Sequence, residues 1–133
     1  MGEFIREFKN RITWVSWFYI SKYQELSEGF IREFADSLYW NNISEKQALS
    51  EGFIREFQDR VDWYNISYYQ KLSEGFIREF QDRVNWDYIS RAQELSEGFI
   101  REFIDRLNVE LLIKYQEGLS DRFRNFLKLH MVM

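Results

Sequence analysis

The sequence predicts an all-α fold in which short αα-hairpin repeats stack as an α-solenoid. The nine-residue string Leu-Ser-Glu-Gly-Phe-Ile-Arg-Glu-Phe occurs four times, and its copies begin 23 residues apart, at Leu26, Leu49, Leu72 and Leu95. Apolar residues follow helical spacing within each copy, without the alternation typical of β-strands. Such a fixed period indicates one small unit that was copied and that buries its apolar face against neighbouring copies.

The period organises the chain as a single repeat domain, residues 1–133. The four repeats span residues 26–48, 49–71, 72–94 and 95–117. An irregular N-terminal unit, residues 1–25, precedes them, and its Phe4-Ile5-Arg6-Glu7-Phe8 segment matches the repeated string. A C-terminal half-unit, residues 118–133, follows and is expected to cap the stack. Irregular ends are typical of solenoids because terminal repeats must face water or a cap.

The first helix of each repeat is illustrated by the third copy. Ser73 is a favourable N-cap residue, and Glu74 follows it where negative charge suits the helix dipole. An apolar stripe at helical spacing continues this helix, with Phe76, Ile77, Phe80 and Val84. Charged residues four apart, such as Glu74 and Arg78, each add roughly 0.2–0.5 kcal/mol to an isolated helix. The same charges could instead bridge neighbouring repeats, which the sequence leaves open.

The second helix is predicted to have about eight to ten residues, with Asn85 either ending the first helix or capping the second. Tryptophans recur at its start and glutamines at its end, as Trp86 and Gln93 do here. We interpret the tryptophans as core between helices rather than a stacking platform. The glutamines are expected to satisfy buried backbone groups between repeats, and the alternative is a row that contacts a ligand. The glycine of each copy, such as Gly75, predicts close approach of a neighbouring helix, with a ligand-approach site as the alternative.

Composition narrows the functional classes. The chain has no cysteine, which excludes disulfides and thiolate metal sites. A net charge of −4 argues against a general nucleic-acid binder and against an anionic-membrane binder. No stretch is long and apolar enough to span a bilayer, and the charged N-terminus does not have the pattern of a secretory signal. We therefore expect a cytoplasmic protein with no cofactor and no metal.

Catalysis receives little support. His130 is the single histidine, in the terminal Leu-Lys-Leu-His-Met segment, without a positioned partner for general base chemistry. Serines recur at Ser44, Ser67 and Ser90, but no histidine recurs beside them, so a catalytic triad is not available. We therefore predict that the chain is not an enzyme and name no catalytic residue.

Three blocks of the repeat resemble short tandem repeats in uncharacterised proteins of bacteriophages and large DNA viruses. In the third copy these blocks are Leu72–Phe80, Asp82–Trp86 and Tyr88–Gln93. The resemblance covers nearly the whole chain and implies a viral or phage origin, with action in the cytoplasm of the infected cell. It implies no particular activity, so no functional residue is carried over from it. The alternative is a consensus-designed array, because the copies are so alike.

Residues that differ between copies are the ones that stacking leaves available for recognition. They cluster on the second helices, where tyrosine and arginine, the types enriched in binding hot spots, are frequent. The hypothesis is that this surface binds a protein partner through Tyr64, Tyr68, Tyr69, Tyr88, Arg91 and Lys46. The alternative is sequence drift on a solvated face.

Three functions follow from these features. The first is a non-catalytic protein-binding repeat module, in a viral setting an inhibitor of a host defence protein such as a nuclease effector, with no direct nucleic-acid or membrane binding. The second is a self-assembling structural protein, a homo-oligomer joined through its irregular ends. The third is a nucleotide-sequestering protein, because aromatic rings and arginines can hold a base and a phosphate.

Overall fold

The computed structural model describes residues 5–6 and 11–133. Phe4, Glu7 and Phe8, which carry part of the predicted N-terminal match, lie outside the described residues. Ile5 and Arg6 are helical, and ten helices follow within residues 11–133. In chain order these are α1 (Trp14–Tyr23), α2 (Glu28–Glu33), α3 (Trp40–Lys46), α4 (Glu51–Glu56), α5 (Trp63–Tyr69), α6 (Glu74–Glu79), α7 (Trp86–Ala92), α8 (Glu97–Glu102), α9 (Val109–Tyr115) and α10 (Asp121–Val132).

The chain forms two compact units. The N-terminal unit, Met1–Asp62, contains α1 to α4, and the C-terminal unit, Trp63–Met133, contains α5 to α10. Within each unit every second helix packs side by side: α1 with α3, then α5 with α7 and α7 with α9, after which α10 closes against α9. The predicted all-α fold of stacked αα-hairpin repeats, an α-solenoid, is therefore confirmed within each unit.

Serine caps define the first helices, as predicted. The Ser73 hydroxyl accepts a hydrogen bond from the Phe76 N–H (3.1 Å), and Ser96 does the same for Phe99 (3.2 Å). The first helix of the third repeat, α6, is shorter than the apolar stripe from Phe76 to Val84 predicts. It ends at Glu79, because Phe80 leaves helical geometry with φ −106° and ψ 30°. Phe80 and Val84 thus reach the core from the turn that follows.

The second helices are seven residues long, from α3 to α9. Asn85 begins α7 by accepting from the Tyr88 N–H (2.9 Å), which settles its predicted alternatives in favour of a cap. Ile66, Ile89 and Leu112 are fully buried at the centre of successive second helices. This row faces the core, whereas Tyr64, Tyr69 and Tyr88 on the same helices are exposed.

Tryptophan forms the edge of the core rather than an open platform. In the C-terminal unit, the Trp86 ring stacks on Phe103 of the next repeat (5.2 Å between centroids), and its indole N–H donates to the Gln81 carbonyl oxygen (2.9 Å). The Arg106 guanidinium also lies over the Trp86 ring (5.9 Å to its centre). The interpretation of tryptophan as inter-helix packing is confirmed.

A row of buried glutamines joins consecutive repeats. The Gln93 amide donates to the carbonyl oxygens of Ser67 (2.9 Å) and Gln70 (2.7 Å). Its side-chain oxygen accepts from the Leu72 N–H (3.0 Å), and Gln116 repeats this arrangement one repeat later. The glutamines therefore satisfy backbone groups that would otherwise be buried without a partner, as the sequence predicts.

Arg124 in α10 takes the place of a glutamine after the last repeat. Its guanidinium donates to the carbonyl oxygens of Ile113 (2.9 Å) and Gln116. The Gln116 amide donates to the equivalent carbonyl oxygens one repeat earlier, those of Ser90 and Gln93. One long cationic side chain thus joins α10 to the repeat before it, and the role of residues 118–133 as a cap stays a prediction.

Several ion pairs join consecutive repeats. Arg78 pairs with Glu102 of the next repeat (2.9 Å). Glu74, one turn before Arg78, instead accepts from the backbone N–H of Ser96 (2.6 Å). The same kind of pair joins Arg32 to Glu56, Arg60 to Asp36 and Arg106 to Asp82. Because these side chains are well exposed, each pair contributes little on its own.

No helix in the described residues has the length and apolar character needed to cross a membrane.

Candidate functional site

The predicted binding residues of the C-terminal unit come together on α5 and α7. The Tyr68 ring packs edge-on against Tyr69 (4.7 Å between centroids) and Tyr88 (5.3 Å), and Tyr88 meets Tyr64 at 6.2 Å. We name these four residues the tyrosine surface. Tyr64 is 63% exposed, Tyr69 53% and Tyr88 39%, whereas Tyr68 is half-buried beneath them. The packing order therefore makes Tyr68 the base of the cluster and the other three its accessible faces.

Arg91 extends this cluster toward α9. Its guanidinium carbon lies 5.6 Å from the centre of the Tyr68 ring and 4.6 Å from that of Tyr115. Guanidinium groups are attracted to aromatic faces at such distances. Asp87, one turn earlier on α7, accepts a hydrogen bond from Asn108 (3.2 Å) and forms no ion pair with Arg91. We name Tyr68, Arg91 and Tyr115 together the Arg91 stack.

A groove opens beside the Arg91 stack, between the segment that leaves α7 and the segment that leaves α9. Its volume is about 720 Å³. Among the residues that line it are Glu74, Arg91, Glu94, Ser96, Tyr115 and Glu117. The floor contains Gln93 and Gln116, whose side chains are already bonded to backbone groups. The charged groups available to an occupant are therefore one guanidinium and several carboxylates.

Lys46 is the one predicted site residue in the N-terminal unit. It ends α3, is exposed, and its ammonium lies 3.9 Å from the Glu45 carboxylate. With Lys22 and Tyr23 it lines a smaller groove of about 410 Å³ at the corresponding ends of α1 and α3. This groove is more basic than that of the C-terminal unit. Lys46 therefore lines a different groove from Arg91.

Sequence reasoning missed Tyr115 as a site residue. It aligned equivalent positions 23 residues apart, which pairs Arg91 with Lys114. Some side chains that touch between repeats are instead 24 apart, as in Arg91 with Tyr115 and Tyr64 with Tyr88, whereas Tyr68 and Arg91 are 23 apart. The period of 23 residues does not separate these two spacings, so no signal in the sequence singled out Tyr115.

The residues weighed for catalysis have structural partners. The Ser67 hydroxyl donates to the Trp63 carbonyl oxygen (2.6 Å) and accepts from the Asn85 N–H (2.9 Å), so it ties α5 to the start of α7. His130 is half-buried in α10, and its ring lies 6.4 Å from that of Phe126. In the described part of the chain no three acidic or histidine side chains are grouped closely enough to hold a metal ion.

The fold consists of regular tandem helical repeats, which is the part of the stated resemblance that the helices bear out. The viral or phage origin stays a prediction. No protein-family model matches the chain, and neither a curated protein nor a solved structure matches it.

Proposed function

We propose that the chain is a non-catalytic protein-binding module and that the tyrosine surface contacts the partner. The observation that carries this proposal is a group of tyrosine rings, packed on one another and still exposed, at positions that the repeat does not keep. Tyrosine contributes a large contact area at low cost in side-chain entropy, and it is enriched among residues that dominate binding energy.

The distribution of charge supports the same proposal. The α5 sequence, Trp-Tyr-Asn-Ile-Ser-Tyr-Tyr, contains no ionisable acid or base other than tyrosine. The next helices carry charge on the same face, with Asp87 and Arg91 on α7 and Glu110 and Lys114 on α9. Protein interfaces commonly have an aromatic centre depleted of charge and a polar rim. The C-terminal unit has both parts side by side.

The resemblance of the repeat to viral and phage repeats supports a narrower form of the proposal. In that form the partner is a host defence protein, such as a nuclease effector, and the module blocks it in the host cytoplasm. Binding at an aromatic surface needs neither a catalytic group nor direct contact with nucleic acid. An inhibitor of this kind would lower the effector's activity in proportion to the complex formed.

The experiment is affinity purification of the full chain from a lysate of the cells that produce it, followed by titration with the recovered protein. Tyr64→Ala and Tyr69→Ala remove exposed rings, so folding should be kept. We expect either substitution to weaken the complex about tenfold or more, because central aromatic residues commonly contribute over 1 kcal/mol. Tyr19→Ala and Tyr23→Ala, at exposed tyrosines of the N-terminal unit, are the matched controls.

Equal affinity for all four variants would exclude the tyrosine surface as the binding site. Loss of affinity in the controls alone would move the site to the N-terminal unit. For the narrower proposal, the activity of the recovered partner is measured with and without the module, and unchanged activity would contradict inhibition.

A further inference from the structure

Arg91 differs from the arginines that join the repeats. Arg78 pairs with Glu102 and Arg106 with Asp82, so their N–H groups are used within the stack. Arg91 forms neither an ion pair nor a hydrogen bond in the described part of the chain, and its contacts are the two tyrosine rings. Its donors are therefore available to a ligand.

The geometry of the Arg91 stack prepares these donors for a planar anion. A cation–π contact is an attraction to the face of the ring and forms no hydrogen bond to an acceptor oxygen, so the five N–H donors of the guanidinium can still bind one. The Arg91 guanidinium lies within about 6 Å of two rings, Tyr68 (5.6 Å) and Tyr115 (4.6 Å), and such contacts favour the conformation in which they form. A restricted arginine loses less entropy on binding, and its fork matches the two oxygens of a carboxylate.

The groove beside the stack decides which anion fits. Glu74, Glu94 and Glu117 line the same space of about 720 Å³ as Arg91. Their negative potential opposes a phosphate, which carries up to two charges, more strongly than a carboxylate with one. A single carboxylate can be held by the fork of Arg91 while its peptide chain passes along the glutamates.

We propose that Arg91 is the polar anchor of the module and that it binds an aspartate or glutamate side chain of the partner protein in the groove between α7 and α9. The inference rests on the proposed function and names the chemistry of its partner. The equivalent positions are Lys22, Glu45, Tyr68 and Lys114, so only the third repeat presents a guanidinium here. One repeat of the array would thus set the position of the acidic group.

The test uses random twelve-residue peptides displayed on phage and selected on the full chain. We expect an aspartate or glutamate at one fixed position of the selected peptides. A synthetic peptide of the strongest clone should bind about tenfold or more weakly to Arg91→Ala and to Arg91→Lys, since a charge-assisted bidentate pair is lost. Arg122→Ala, which removes an exposed arginine of α10 away from the groove, is the matched control.

A double-mutant cycle separates the pair from any change in fold. Replacing the acidic residue of the peptide by its amide should weaken binding to the wild type and leave binding to Arg91→Ala unchanged. Selected peptides without an acidic position, additive losses in the cycle, or the absence of any Arg91-dependent binder would overturn the proposal. Tighter Arg91-dependent binding of a phosphoserine peptide than of the acidic peptide would also overturn it, in favour of a phosphate site.

The inference and the proposed function fail in different ways. If Tyr64→Ala and Tyr69→Ala weaken the natural complex while Arg91→Ala does not, the anchor is wrong and the binding surface stands. If all three leave the complex unchanged, both proposals fail.

Discussion

The repeated glycine is the residue for which the predicted role and the structure differ most. Gly75 and Gly98 lie exposed in the first turns of α6 and α8, and a Cβ at either position would meet no atom within 4 Å. No glycine in the described residues has positive φ. The expected close approach of a neighbouring helix is therefore wrong. Nothing in the described residues explains why this position is glycine, and the ligand-approach alternative stays a hypothesis.

Replacing these glycines by alanine should stabilise the protein. Because the backbone is already helical and the space is open, Gly75→Ala and Gly98→Ala mainly reduce the entropy of the unfolded chain. We expect the free energy of unfolding to rise by about 0.4–1 kcal/mol for each substitution, measured by urea denaturation. A decrease would mean that the space around the glycine is not open. Higher stability together with a weaker partner complex would favour the ligand-approach alternative.

At the scale of the element, the glutamine row holds one repeat to the next. Gln93→Ala leaves the buried Leu72 N–H without its acceptor and removes a donor from two carbonyls of the preceding repeat. We expect the free energy of unfolding to fall by about 1–3 kcal/mol for the N–H alone. Gln93→Glu should cost more at neutral pH, because an ionised carboxylate would face the carbonyl oxygens.

The matched control for this prediction is Gln81→Ala. Gln81 donates to the Arg78 carbonyl oxygen at the exposed surface (3.0 Å), so its loss should change stability little. Both variants are measured by urea denaturation. Equal effects of Gln81→Ala and Gln93→Ala would show that the buried row contributes no more than a surface hydrogen bond.

The ion pair between α6 and α8 predicts a pH dependence. The hydrogen bond from Arg78 lowers the pKa of Glu102 below its usual value of 4.5, and Coulombic attraction acts in the same direction. Because the folded-state pKa is the lower one, the pair's contribution is complete above pH 4.5 and is lost as the pH falls through the folded-state pKa. The stability difference between wild type and Glu102→Gln should therefore be largest near neutral pH.

Urea denaturation at neutral pH and at about pH 2 measures this difference. The difference should vanish in acid, because the Glu102 side chain is then protonated and is as uncharged as the glutamine that replaces it in the variant. Added salt should shrink the difference at neutral pH, since the pair is exposed. Glu94→Gln, an exposed carboxylate outside these ion pairs, is the control. A difference that is the same at both pH values would assign the effect of Glu102 to packing rather than to charge.

The sequence predicts the helices better than it predicts the contacts between them. Local rules were sufficient for the serine caps and for the buried apolar stripe of Phe76, Ile77, Phe80 and Val84, because capping and helical period are properties of neighbouring residues. Contacts between repeats depend on how far one helix pair turns relative to the next. Arg91 lies over Tyr115, which is not its equivalent position in the next repeat, and a period read from the sequence alone does not contain such geometry.

At the scale of the whole molecule, the end of the C-terminal unit is stabilised differently from its interior. Inside the stack the buried Gln116 side chain donates a hydrogen bond to a carbonyl oxygen of the preceding repeat. At α10 the longer Arg124 side chain donates the corresponding hydrogen bonds. In a solenoid each repeat contacts only its neighbours, so the loss of one contact between repeats should weaken the adjacent helices most. The protection of α9 should therefore depend on Arg124 more than the protection of α6 does.

Arg124→Ala tests this dependence. The substitution leaves the carbonyl oxygens of Ile113 and Gln116 without the guanidinium, so we expect the free energy of unfolding to fall by about 1–3 kcal/mol. Amide hydrogen exchange should accelerate first in α9 and α10, and least in α6. Arg122→Ala, on the exposed face of α10, should leave both measurements unchanged. Equal acceleration of amide exchange in all helices of the C-terminal unit would contradict the prediction. It would mean that the unit opens as a whole and that Arg124 does not stabilise α9 and α10 separately from α6.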